Sequence, residues 1–161
     1  MEIDPVVLYR YTNWANDRVI AGAKQLSPVQ LNSPIRPGFH SVLGLLVHIM
    51  SAERIWLSRW QGKSSPVLPA GEEIATLDVL EKMWTPLRGE VLEFVAAVKD
   101  AHEVVVYRNT KGVEFQNVLW HLLLHVVNHG TEHRSQAALY LAMQGIDLGN
   151  LDLIHYIREG I

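Results

Sequence analysis

The stretch VLWHLLLHVVNHGTEHRSQAALYL, Val118 to Leu141, places four of the chain's eight histidines at an unbroken spacing of four. On a helix that spacing stacks imidazoles along one face, and imidazole is the commonest metal ligand among side chains. His121 and His133 are about 18 Å apart along such an axis, so one ion cannot take all four. With Asn117 at zero on a helical wheel, the apolar residues of the segment average roughly 190°. His133 and His129 fall inside that arc at roughly 160° and 120°, whereas His125 lies at its edge and His121 on the polar side. The pair expected to be buried is therefore His129 and His133. A metal held there needs further ligands from another part of the chain.

Composition narrows what those ligands can be. The chain has no cysteine, which excludes disulfides, zinc–thiolate sites and a cysteine nucleophile. Any metal must be held by imidazole, carboxylate or water. At 161 residues and 48% hydrophobic content, the chain is most simply one domain, residues 1–161, with a continuous core. A formal charge of −3 gives no basic footprint, so no nucleic-acid partner is expected. The start, MEIDPVV, lacks a basic n-region and an h-region, and every long apolar run is broken by histidine or charge. No membrane span is expected, and the cytoplasm is the default compartment.

Taken in order, the sequence reads as helices. Asp4-Pro5 is a start signal, and Leu8, Tyr11, Ala15, Val19, Gly22 and Leu26 form the seam of a first helix ending near Ser27-Pro28. Residues 27–39, with Pro28, Pro34, Pro37 and Gly38, read as a connecting loop. A second helix runs from about Ser41 to Gln61, with Val42, Leu45, Ile49, Ala52, Trp56 and Trp60 as its stripe, stopped by Gly62 and the Ser-Ser-Pro and Leu-Pro-Ala-Gly segments. His48 sits at the margin of that stripe. Glu53 projects within the apolar arc, unusual for a carboxylate, which is seldom buried without a partner. A third helix is expected from Thr76 to about Lys99, with Pro86 marking a kink or a late start. Residues 103–115, around Asn-Thr-Lys-Gly, read as a short β-hairpin leading into the histidine helix. Gly145 is the expected cap of that helix, and LDLIHYIRE adds one or two helical turns.

Two long helices carrying core-side histidines point to an all-α four-helix bundle, in which metal sites are built from facing helices. The sequence has no Glu-x-x-His pair of the di-iron carboxylate bundles, no HExxH, and neither glycine-rich nucleotide loop. What remains is His48 together with His129-x3-His133.

These residues carry a family resemblance. Tyr11-x2-Trp14-Ala15-Asn16, His48-x4-Glu53-Arg54-x-Trp56, the Asn109–Gly112 hairpin and His125-Val-Val-Asn128-His129-x3-His133-Arg134-x-Gln136 resemble the DinB/YfiT-like family over nearly the whole chain. That family is similar to bacillithiol S-transferases and mycothiol-dependent enzymes, with a four-helix bundle and a three-histidine divalent-metal site. The resemblance implies that His48, His129 and His133 are the metal ligands. Many members have glycine where this chain has Ser135, a departure that leaves the ligands intact.

Three imidazoles would leave a coordination position open, the arrangement of a catalytic site rather than a structural one. Such an ion, zinc or nickel first and iron, manganese or copper after them, can lower the pKa of a bound water or hold a thiol as thiolate. The first route is hydrolysis and the second S-transfer. With no cysteine in the chain, the thiol would be a low-molecular-weight co-substrate, so the expected partners are a small molecule and a second copy in a homodimer. Glu53 is a candidate partner of a ligand or a general base, unless it pairs with an arginine. Trp56 can line the pocket, while His40, His102 and His155 have no partner by spacing. The competing class is a non-enzymatic metal-binding stress protein or dimeric scaffold that only retains the site.

Overall fold

A computed structural model of the chain describes residues 4–35, 40–63 and 74–160. Pro37, Gly38 and the Ser-Ser-Pro and Leu-Pro-Ala-Gly stops lie outside the described residues. Among the described residues, six helices and one two-stranded antiparallel sheet follow in the order α1 (Pro5–Ala23), α2 (Pro28–Asn32), α3 (Val42–Trp60), α4 (Leu77–Ala97), β1 (Val104–Arg108), β2 (Glu114–Val118), α5 (Leu119–Met143) and α6 (Leu153–Glu159).

Local chemistry sets the helix starts. Asp4 accepts from the Val6 N–H at 2.9 Å, with Pro5 in the first turn, where its missing donor costs nothing. Ser41 and Thr76 cap α3 and α4 by accepting from Gly44 and Val79. Helix α5 has no side-chain cap. Instead its first N–H groups, on Leu119 and Trp120, donate to the carbonyls of Glu103 and Ala101 at 2.9 Å, so the chain entering the hairpin closes the helix end. At the other end Gly145 adopts φ +80°, and the N–H groups of Gly145 and Ile146 return to Ala142 and Leu141. This Schellman arrangement needs the left-handed residue that glycine supplies.

Four of these boundaries correct the sequence reading. Helix α1 ends at Ala23, short of Ser27. The expected loop contains α2, because Ser27 and Gln30 cap each other reciprocally, Gln30 N–H to Ser27 Oγ and Ser27 N–H to Gln30 Oε1. Val118 belongs to β2, paired with Val104, and helix begins one residue later. Pro86 does not delay α4, which starts at Leu77 and runs through it. Pro86 and Lys82 are both exposed, so water can serve the carbonyl that proline leaves without a donor.

The packing directions follow from pairs of contacts. Tyr9 Oη donates to the Leu123 carbonyl and Arg134 Nη1 to Asn16 Oδ1, so α1 and α5 run the same way. Tyr9 packs edge-on to Trp60, which makes α3 antiparallel to α1. Glu53 meets Trp84, and Trp60 stacks on Phe94, so α3 and α4 are parallel. The bundle is thus up, down, down, up. Leu45, Leu46, Ile49 and Met50 of α3, Trp84 and Leu80 of α4, Val19 of α1 and Leu141 of α5 form the centre, all essentially inaccessible to water. The hairpin lies on α3, through Val105 and Tyr107, and α6 lies on α1.

Within this apolar centre sits a polar knot. Trp84 Nε1 donates to Glu53 Oε2 at 2.6 Å. Arg134 donates to Asn16 and to Thr131 Oγ1, while at the surface Arg88 pairs with the exposed Asp17. Gly130 leaves space for the Arg134 guanidinium, since a Cβ there would lie 2.7 Å from Nη1.

Candidate metal centre

His48 comes from the middle of α3, and His129 and His133 from successive turns of α5, where the two helices pack antiparallel. The three side chains converge so that one ring nitrogen of each lies within 4.8 Å of the others. The ring centres are 4.9 Å apart for His48 and His129, 4.5 Å for His48 and His133, and 4.5 Å for His129 and His133. The last two pairs meet edge to face. Two nitrogens bound to one tetrahedral zinc are roughly 3.3 Å apart, a distance that small side-chain rotations reach from this starting point.

All three histidines are half-buried, whereas the wheel expected His129 and His133 to be buried. The difference has a clear source. Gly130 and Arg134 are also buried on α5, and including them moves the buried arc to roughly 210°, leaving His129 about 90° from its centre. The histidines therefore sit on the flank that α5 turns toward α3, with one side open.

Burial and mutual repulsion favour the neutral form of His48 and His129. His129 is lowered to about 4, first by desolvation and then by His133, His48 and His125. His48 is lowered by the same causes, desolvation before His133 and His40. Glu132 opposes both shifts as the nearest acidic influence. Neutral imidazoles present lone pairs, which is the donor set a divalent metal of borderline softness requires.

Neighbouring groups orient the cluster. Gln136 Oε1 lies 3.0 Å from His133 Nδ1, and with that oxygen as acceptor the ring proton sits on Nδ1 and the Nε2 lone pair is free. His40, which had no partner by spacing, stacks on His48 at 5.7 Å. His125 is exposed and packs between His129 and Trp56. His121 is exposed beside Trp120, and His155 pairs with Glu159 on α6. Trp56 is half-buried against His125 and Tyr107, beside the histidine cluster.

Glu53 takes its place in the bundle centre. Burial pushes its carboxyl up, while the Trp84 N–H, the Arg88 and Arg134 guanidinium groups and Asn16 pull the other way. Its hydrogen bond is to Trp84, on α4, away from α5. Sequence reasoning passed over Gln136 as an orienting group and His40 as a ring contact. Gln136 carries a legible signal, because an amide three residues after a histidine lies on the same helix face. His40 carries none, since it precedes α3 and reaches His48 only through the turn.

Comparison with known proteins agrees with this architecture. The DinB family matches residues 1–159. Protein DinB of Bacillus subtilis (strain 168) is 25% identical over 145 residues, spanning 86% of this chain and 84% of its own. Two solved structures share the fold at 15% identity and a TM-score of 0.66. One is a conserved protein from Enterococcus faecalis, covering 88% of this chain and 96% of that one. The other is a DinB-like protein from Bacillus cereus ATCC 10987, covering 89% and 94%.

Proposed function

The chain belongs to the DinB family, and we propose from this premise that His48, His129 and His133 bind a divalent metal ion and that the protein is a metal-dependent enzyme acting on a small molecule. The observation that carries the reading is the convergence of three imidazole nitrogens within 4.8 Å on a half-open flank. An ion held by three imidazoles keeps a position for a fourth ligand, and there it would supply Lewis acidity, lowering the pKa of a water or holding a small thiol as thiolate.

The residues of the chain do the rest. His129, lowered to about 4, stays uncharged well below neutral pH, and burial lowers His48 in the same direction, which limits proton competition for their lone pairs. Gln136 fixes the tautomer of His133. The open flank admits a small reactant, while the apolar centre behind it excludes water from the ligands' inner side. A thiol co-substrate is the favoured nucleophile, giving S-transfer, and water is the second, giving hydrolysis.

The test is turnover of a small thiol with an electrophilic aromatic halide, and separately of an activated ester, by protein loaded with zinc or nickel. Wild type turns over one class, and His48→Ala loses it while keeping its helical circular dichroism. Equal rates in wild type and variant would overturn the reading.

A further inference from the structure

Resting on the reading that the three histidines form the reacting end of the site, we propose that Arg59 is the anion-binding group at its other end. The molecule handled here is then an elongated one, carrying a carboxylate or comparable anion roughly 12–16 Å from its reacting atom.

Arg59 lies eleven residues beyond His48 on α3, which returns it to the same helix face about 16 Å along the axis. Ala52 and Ile55 occupy the turns between them, both half-buried. From Arg59 to the histidines the side chains are continuous. Trp56 meets His125 at 5.1 Å between ring centres, and His125 meets His129 at 5.8 Å. A molecule lying along this path has the histidines at one end and Arg59 at the other.

Among the described residues the Arg59 Nε has no hydrogen-bond acceptor. The guanidinium carbon sits 4.7 Å from the Trp56 ring centre and 5.3 Å from that of Tyr107 on the hairpin. The two rings lie on one side of it, since their own centres are 5.1 Å apart, and cation–π contact of this kind leaves N–H groups for hydrogen bonds. Arg59 is only 8% exposed, yet its Nε is buried without an acceptor, and no carboxylate among the described residues pairs with it. Burial accordingly pushes its pKa down. The contrast with Arg134 is direct, because that still more deeply buried arginine donates to Asn16 and Thr131. A desolvated cation with unused donors is costly, and an anion with two oxygens answers both its charge and its fork of donors.

The experiment has two arms. In the first, metal-free protein is titrated with sodium sulfate, and with sodium chloride at matched ionic strength, while the Arg59 Nε–H resonance is followed by NMR. The resonance is assigned by its loss in Arg59→Lys. A saturable shift with sulfate that chloride does not reproduce is expected; identical responses overturn the proposal. In the second, cobalt-loaded protein is titrated with mercaptoundecanoate and with mercaptoundecanol, two thiols of equal length that differ in the terminal anion. Wild type is expected to bind the acid about tenfold more tightly than the alcohol. Arg59→Met, which keeps an apolar stem against the two rings, is expected to bind both alike, with Arg59→Lys between. Equal binding in wild type, or an advantage that survives in Arg59→Met, overturns the proposal. Failure of wild type to take up cobalt would count against the histidine site alone, and the sulfate arm would still decide the role of Arg59.

Discussion

Gln136 Oε1 and His133 Nδ1 are 3.0 Å apart, one turn along α5. This hydrogen bond directs one ring nitrogen of His133 away from the cluster and the other into it. Outer partners of this kind typically contribute a factor of about 10–100 in metal affinity. Gln136→Ala should weaken metal binding by that order, measured by competition with a chromophoric chelator. Gln136→Glu, which keeps an acceptor, should recover most of it. An unchanged affinity in Gln136→Ala would show that His133 needs no orienting partner.

The depressed pKa of His129 makes the metal-free fold sensitive to acid. Its folded value is about 4, against 6.5 for an unperturbed histidine. The unfolded chain therefore binds the proton first, and stability is lost as pH falls from about 6.5 towards 4. Above that window His129 is neutral in both states and contributes no slope. Glu53, whose carboxyl is raised by burial, acts in the opposite sense but is common to wild type and variant. Urea denaturation of metal-free wild type and His129→Asn from pH 7 to pH 4 should show the variant gaining on wild type as pH falls. Parallel curves would contradict the burial and repulsion argument.

The Glu53–Trp84 hydrogen bond is a structural element of the bundle centre. Trp84→Phe keeps the ring packing but leaves the buried Glu53 oxygen without its donor, at a cost of about 1–3 kcal/mol. The urea midpoint should fall accordingly, with metal affinity changing far less than in Gln136→Ala. A large loss of metal binding with intact stability would place Glu53 in the working site instead.

Much of this was legible in the chain. The hairpin was marked by Asn109 to Gly112, where Asn109 Oδ1 accepts from Lys111 and Val113 and Gly112 takes φ +79°. The meeting of His48 with His129 and His133 was legible in two ways: periodicity put the α5 pair inside an apolar arc and His48 at the margin of another, and the family resemblance implied the set of three. The degree of burial was not, since a wheel that counts only apolar side chains misses Gly130 and Arg134, which are buried through the space one leaves for the other. Helix α2 was hidden by its prolines, although Ser27 and Gln30 have the spacing of a capping box. The parallel course of α3 and α4 leaves no mark on local pattern, because it is fixed by which faces meet across the bundle. Arg59 was silent for the same reason, as its stacking partner Tyr107 comes from the distant hairpin.

The central claim is that His48, His129 and His133 bind one metal ion. Elemental analysis of protein purified without added metal, wild type beside His129→Ala, tests it most directly. About one equivalent of a divalent metal in wild type, lost in the variant, is the expected result. No metal in wild type, and none taken up on titration, would contradict the account and leave the three histidines as packing residues on the flank between α3 and α5.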